Sequence, residues 1–394
     1  MFKLTVYDAV GFDFDNTLML YNLTNLYQFH YTYLTKFLVE KKGYADLPTT
    51  MDSNDVDFFR RGLFLDFAGG NVLDISADGT ILSASHGTKK LEKEEISKIY
   101  GKNMRWSPTD LFIKDKLALW EGPAAEQTRT FLDYSDTTAT LVFAKMIDSL
   151  DVNDEKDYSK VWPHLLEAII DMYKDDSDLN KGLLSNMPHF VHKTETNIIN
   201  FLNKLKETTK LFLLTGSASN LVKPLASYSL GADWEKFFDT IIYCAKKPGF
   251  FIRNNSFLNE SGNKIKLPTS KGSYQQGNWS ELYEIIGKEL DRLPKCVYLG
   301  DSTIQDVYAP SIANKPIDSV SVIEEALTDG IFPGEHPHGN YVKSEFWGPY
   351  FGKNNLTVMG DIITKHSKLC IPSLCYLADK PLNFEYVPFW IRSE

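Results

Sequence analysis

Asp13 and Asp15 stand two residues apart in the run Phe12, Asp13, Phe14, Asp15, Asn16, Thr17. On a strand, side chains at i and i+2 share one face, so two carboxylates at this spacing converge on one ligand. Anions that close repel one another unless a cation or a shared proton lies between them. Carboxylate and carbonyl oxygens are hard donors, and Mg²⁺ is the cation they suit. The apolar stretch Leu4 to Phe12 reads as a buried strand that delivers both acids to its C-terminal end, where open α/β sheets bind ligands.

Three further strand ends carry chemistry-bearing residues. Leu211 to Leu214 reads as a strand that ends in Thr215, Gly216 and Ser217, followed by a helix over 218–230 whose start offers hydroxyl and N–H groups to an anion. Thr240 to Tyr243 reads as a third strand leading into Lys246 and Lys247, one of which suffices as a phosphate ligand. Cys296 to Leu299 reads as a fourth, leading into Gly300, Asp301 and Ser302, with Asp306 five residues beyond Asp301.

In this order the series resembles the four signature motifs of the haloacid dehalogenase superfamily, whose members mostly transfer phosphoryl groups. An acid two residues after the nucleophile marks the phosphatases of that superfamily, so Asp15 implies hydrolysis. The runs Arg61 to Asp66, Gly70 to Leu73 and Ser85 to Thr88 are similar to the segment after the first motif in cytosolic purine 5′-nucleotidases. So are Lys247 to Phe251, Tyr274 and Gln276 to Asn278, and the resemblance spans nearly the whole chain.

The resemblance implies a Rossmann-like, doubly wound parallel α/β sheet with a mainly helical cap inserted after the first strand. It implies Asp13 as nucleophile, Asp15 as general acid and base, and Mg²⁺ held by the Asp13 carboxylate, the Asp15 carbonyl oxygen and Asp301. Asp306 stands outside the ligands, holding waters or Lys247. Thr215, Gly216, Ser217 and Lys247 bind the phosphate, and Lys247 neutralises its charge. The substrate is a small phosphomonoester, with nucleoside 5′-monophosphates as the family's own class. On the leaving-group side the approximate counterparts of the family's base-binding residues are Ser135, Asp136 and Asp171, with Tyr134 or Tyr173 as substitutes for the missing stacking ring. A counterpart histidine is also missing, so purine specificity does not carry over. A nucleoside phosphotransferase would use the same residues. A non-catalytic scaffold would not need them kept together.

The rest of the composition fits a cytoplasmic enzyme. A net charge of −10 argues against nucleic acid or an anionic membrane surface as the main partner. The four cysteines have no metal-ligand spacing and read as free thiols, no targeting segment is visible, and no run approaches the ~20 apolar residues of a membrane span.

About 200 residues separate Thr17 from Thr215, far more than a strand-to-strand crossover needs, so another unit is inserted there. The expected division is a phosphatase core of 1–20 and 206–330, a segment 21–104 whose hairpin packs on the core, a helical cap over 105–205, and an aromatic extension over 331–394. Helices are expected over Tyr21 to Gly43, Thr137 to Leu150 and Trp162 to Tyr173, with Thr194 capping another through Leu205. Phe251 to Asn278 reads as a long loop. The tail from Tyr341 onward, with Phe346, Trp347, Tyr350, Phe351, Phe389 and Trp390, is too aromatic to be disordered and is expected to pack on the core or on a second subunit.

Overall fold

The computed structural model describes residues 1–119, 123–174, 176–266, 268–334, 344–352 and 356–391. Tyr341 lies outside them. In chain order the strands are β1 (Ala9–Phe12), then β2 (Phe64–Asp66), β3 (Asn71–Ile75), β4 (Ile81–His86), β5 (Lys89–Lys90) and β6 (Thr128–Thr130). There follow β7 (Lys210–Leu214), β8 (Thr240–Tyr243), β9 (Phe257–Leu258), β10 (Gly272–Gln276), β11 (Cys296–Gly300), β12 (Asp318–Val322) and β13 (Leu369–Ile371).

Eight of these make a central sheet in the order β13-β12-β11-β1-β7-β8-β10-β9. Every pairing in it is parallel except β10 with β9. β1 lies in the interior, with Ala9 to Phe12 in register with Cys296 to Leu299 on one side and Lys210 to Leu213 on the other. All residues of β1 and β11 are buried, as strands covered by helices on both faces must be. Parallel register brings the C-terminal ends of β1, β7, β8 and β11 to one edge. The four motif-bearing loops therefore meet there.

The insertion after β1 divides into two layers that do not follow the expected boundary at 104/105. β2 to β6 form an antiparallel sheet in which β6, from the expected helical cap, pairs with β2. One face of this sheet buries Phe64, Leu73, Ile75 and Ile81 against Ile304, Val307, Ile323 and Ile362 of the core. The helical layer begins earlier than expected. The helix Leu23–Lys42, stopped by Gly43 in the left-handed conformation (φ 81°), packs on the helices Thr138–Val152 and Val161–Met172.

Three local expectations need correction. The first strand starts at Ala9 rather than Leu4, because Leu4–Val6 forms a 3₁₀ turn and Phe2 pairs with Tyr386 instead of continuing the sheet. Thr194 is not the cap of its helix, which spans Thr196–Lys206 with Glu195 at the N-cap. The Thr194 hydroxyl instead donates to the Leu18 carbonyl (3.2 Å). Segment 251–278 contains β9 and β10, and β10 extends the central sheet beside β8. Its polar sequence hid the strand, since Tyr274 is its one buried residue. The C-terminal segment is part of the core, with β13 pairing along β12 and Trp347, Tyr350, Ile362 and Ile363 buried. Among the described residues no helix is long and apolar enough to cross a membrane.

A chain ending at Ser367 would lose β13, leave β12 as a bare apolar edge and uncover the surfaces that Leu374, Leu377 and Tyr386 bury. Such a truncation is expected to aggregate on expression. A soluble, monodisperse product by size-exclusion chromatography with native circular dichroism would contradict this account of the tail.

Candidate active site

The ladder continues one bond past β1, since Asp13 N–H donates to the Leu299 carbonyl at 2.8 Å. The chain then turns through Asn16, a left-handed residue (φ 52°). Phe14 points into the core, while Asp13 and Asp15 line one cavity of about 510 Å³. The period-2 alternation of the sequence is thus visible in space.

Lys247 reaches this cavity from the loop after β8, where Cys244 and Lys246 are left-handed (φ 48° and 50°). Its neighbour Lys246 is exposed. The Lys247 ammonium lies 2.8 Å from Asp13 Oδ1 and 2.7 Å from Asp306 Oδ1, and it donates to the Tyr298 hydroxyl at 3.1 Å. Burial works against its charge, but Asp13 and Asp306 outweigh this and hold its pKa well above the usual value. Asp306 folds back from the π-helical turn Thr303–Tyr308 and accepts from Ser302 N–H at 3.0 Å. It can do so because position 300 is glycine, where a Cβ would come within 2.4 Å of the Asp306 carboxylate.

Carboxylate oxygens of Asp13, Asp301 and Asp306 lie within 4.8 Å of one another. Burial pushes the Asp13 carboxyl up to about 8, Lys247 pulling the other way and Asp306 and Asp15 adding repulsion. Asp301 is raised well above the carboxylate range, again by burial, with Arg61 opposing. A buried group of hard oxygens carrying more negative than positive charge fits Mg²⁺. Asp306, expected to stand apart from the ligands, lies in this group and holds Lys247 as well.

Asp15 is gripped on both oxygens. Tyr21 OH donates to Oδ1 (2.8 Å) and Ser217 Oγ donates to Oδ2 (2.9 Å). Burial raises its pKa, against the pull of these two hydroxyls. Gly216 and Ser217 line the cavity, whereas Thr215 is fully buried behind them. Its hydroxyl accepts from Ser217 N–H at 3.1 Å and also bonds the Asp15 carboxyl, so Thr215 braces the loop beside that acid.

On the far side Ser135 and Asp136 line the cavity, but Tyr134 and Asp171 do not. Residues 134–136 form a 3₁₀ turn, in which successive side chains point about 120° apart. Tyr134 is thereby turned into the protein, where its hydroxyl meets Glu325 and Glu324. Asp171 faces outward and pairs with Tyr33 OH (2.8 Å) and Lys174 (2.6 Å). Tyr173, one of the two expected substitutes for the stacking ring, lines the cavity, and so does His30. Tyr173 OH donates to Asp136 Oδ1 (2.7 Å), and His30 Nδ1 donates to the Ser135 carbonyl (3.0 Å). Burial draws the His30 pKa down to about 4, so its ring is neutral. Asp133, Asn180 and Gln305 complete this wall, with Gln305 donating to Asp133 at 2.9 Å. His30 had one sequence signal, its place four residues from both Leu26 and Leu34 on the buried stripe of its helix. That pattern marks a core residue equally well.

Comparison with known proteins gives a consistent result. A profile described as the 5' nucleotidase family matches residues 2–325. The chain is 30% identical to 5'-nucleotidase domain-containing protein 1 of Bos taurus over 98% of this chain and 93% of that protein. The Homo sapiens protein of the same name gives the same identity and coverage. A more distant relative, human 5'-nucleotidase domain-containing protein 2, is 24% identical over 76% of this chain and 57% of its own length.

The raised carboxyls have a thermodynamic consequence. A carboxyl whose folded pKa lies above its unfolded value, near 4, stabilises the metal-free fold while protonated and loses that contribution as pH rises toward the folded value, here about 8 for Asp13. A bound cation replaces those protons. The rise in Tm on adding Mg²⁺ to chelator-treated protein is therefore expected to be larger at pH 8 than at pH 5. Scanning calorimetry at the two pH values checks this, and equal shifts would contradict the charge balance described.

Proposed function

The chain belongs to the 5' nucleotidase family, and on that premise we propose that it is a Mg²⁺-dependent phosphomonoester hydrolase of 5′-nucleotidase type working through an aspartyl phosphate on Asp13. The observation that carries this reading is the Lys247 ammonium between the Asp13 and Asp306 carboxylates, in a cavity that Asp15, Ser217 and Asp301 share. An anionic nucleophile and a phosphate dianion need this much positive charge and ordered donor geometry to meet.

In this mechanism the phosphate oxygens accept from the N–H group of Gly216, just ahead of the helix Ser219–Ser229, and from Lys247. An Asp13 oxygen attacks phosphorus in line. The Oδ–P bond forms as the bond to the ester oxygen breaks, and Asp15 gives that oxygen its proton. The raised pKa of Asp15 suits a group that must hold a proton first. Asp15 then takes a proton from water as the water attacks phosphorus, which releases phosphate and restores Asp13. Tyr21 and Ser217 keep the Asp15 carboxyl in place throughout. Mg²⁺ held by Asp13 and Asp301, with Asp306 beside them, would offset the charge of nucleophile and phosphate.

The leaving group faces Asp133, Asp136, Ser135, His30, Tyr173 and Asn180. Lys247 is the one cationic side chain among the described residues that line the cavity, and it is committed to the phosphate end. A substrate with one phosphate and an uncharged, donor-bearing alcohol fits this wall, and a nucleoside 5′-monophosphate is such a substrate. Ser135 offers no ring on which a base stacks. Free cysteines at all four positions suit a reducing compartment such as the cytoplasm.

Asp13→Asn keeps the shape and removes the nucleophile, so turnover of p-nitrophenyl phosphate should fall by about a hundredfold or more while the circular dichroism spectrum stays native. Wild-type activity should vanish in EDTA and return with Mg²⁺ but not with Ca²⁺, which is larger and less strict in geometry. Full activity in EDTA, or an active Asp13→Asn protein, would overturn the mechanism.

A second expectation concerns the base. IMP and GMP should be hydrolysed with a kcat/KM close to that of p-nitrophenyl phosphate, and Ser135→Phe should improve the nucleotides selectively, by up to the ~1–3 kcal/mol of a stacking contact. A strong wild-type preference for IMP over the artificial ester would show that the cavity already reads the base.

A further inference from the structure

Arg61 lies in the inserted segment, three residues before β2, yet its side chain is fully buried against the metal-site loop. Nε and Nη2 donate to the two carboxylate oxygens of Glu325 at 2.7 and 2.8 Å, a fork-on-fork pair. Nη1 donates to the backbone carbonyl of Asp301 at 2.8 Å and to that of Leu132 at 3.2 Å. It also lies 3.5 Å from Asp301 Oδ2. The guanidinium sits 3.8 Å over the Tyr134 ring. The Tyr134 hydroxyl donates to Glu325 Oε2 and accepts from Glu324 N–H.

The Arg61–Glu325 pair taken alone would be a poor way to stabilise a fold. Desolvating two charges consumes most or all of the attraction between them, and apolar replacements of such pairs are often neutral or better. Here, however, the guanidinium has donors beyond those that Glu325 uses, and they go to Asp301 and to the residue that leads into the Asp133–Asp136 wall. A lysine in the same place has three donors on one point and cannot span both targets.

We propose that Arg61 is a positioning residue: held by Glu325 and Tyr134, it sets the direction of the Asp301 carboxylate. The inference rests on the phosphatase reading only in taking Asp301 as a metal ligand. By this account an insertion residue tunes metal affinity without touching metal or substrate, as partners of ligating carboxylates do.

The test is direct binding of Mn²⁺, followed by electron paramagnetic resonance well below the melting temperature, together with hydrolysis of p-nitrophenyl phosphate. Arg61→Lys should weaken Mn²⁺ binding by about tenfold or more. Its KM for the ester at saturating metal should change by less than about twofold. Tyr134→Phe retains the ring and volume and deletes only the hydroxyl that fixes Glu325. It should give a smaller loss of Mn²⁺ affinity in the same direction, and it decides the matter if Arg61→Lys does not fold. Wild-type affinity in every folded variant would overturn the proposal, as would a loss confined to Tm. Weakened Mn²⁺ binding in the variants of a protein that does not cleave the ester would uphold the positioning role and sink the phosphatase reading. Normal ester cleavage with unchanged Mn²⁺ affinity would do the reverse.

Discussion

Holding Asp13, Asp301 and Asp306 within a few ångströms of one another is the constraint on which the rest of the structure depends. Buried carboxylates at such spacing repel strongly, and stripping one member from a buried ion-pair group typically costs about 3–5 kcal/mol. Lys247 answers the repulsion from one side and Arg61 from the other. Each cation arrives on a different element, so the parallel register of β1, β8 and β11 and the docking of the inserted sheet must hold together. The left-handed residues Asn16, Cys244 and Lys246 lie in the same loops. Conformations that L-residues rarely adopt persist where surrounding contacts over-determine them.

The insertion serves the centre through both of its layers. The antiparallel sheet packs on the core and carries Arg61. The helical layer carries Tyr21, His30 and Tyr173 to the cavity. Its two ends are stitched together beside the nucleophile loop, where Asn22 N–H donates to Phe190 O (2.8 Å), His192 N–H donates to Leu20 O (2.9 Å) and Tyr21 pairs with Val191. Thr194 adds a bond to Leu18. The segment that supplies the leaving-group wall is thus anchored next to Asp15, and through Tyr21 it touches Asp15 itself.

Charge divides the cavity into two ends. The end at Asp13 and Asp306 pairs acids with Lys247 and with Ser302 N–H. The other end presents Asp133 and Asp136, each held by a neutral donor, Gln305 and Tyr173 respectively. Burial, with repulsion from Asp136, raises Asp133 to about 6, the Ser302 hydroxyl and Lys247 pulling the other way. Under the proposed function such a wall would favour hydrogen-bond donors on the alcohol part of the substrate and disfavour a second anionic group.

The sequence by itself determined the four strand ends and their cargo. Asp13 and Asp15, the Thr215–Ser217 turn, Lys247, Asp301 and Asp306 each follow a short apolar run, and a strand carries its pattern locally: period 2, a buried run, then a polar loop at a known end. The stop of the first helix at Gly43 and the existence of the helices near 138–152 and 161–172 were legible for the same reason. Only the tertiary structure decided which way a side chain turns where the local period is not 2. That is why Tyr134 went to Arg61 and Tyr173 to the cavity, why Asp171 faced outward, and why His30 turned up at the wall. It also decided the partners of polar segments and remote ones. β10 and β13 join the sheet through backbone hydrogen bonds that any sequence can make. Arg61 reaches residues 240 and 264 positions away in the chain. Such contacts come from the packing of whole layers, which no window of sequence contains.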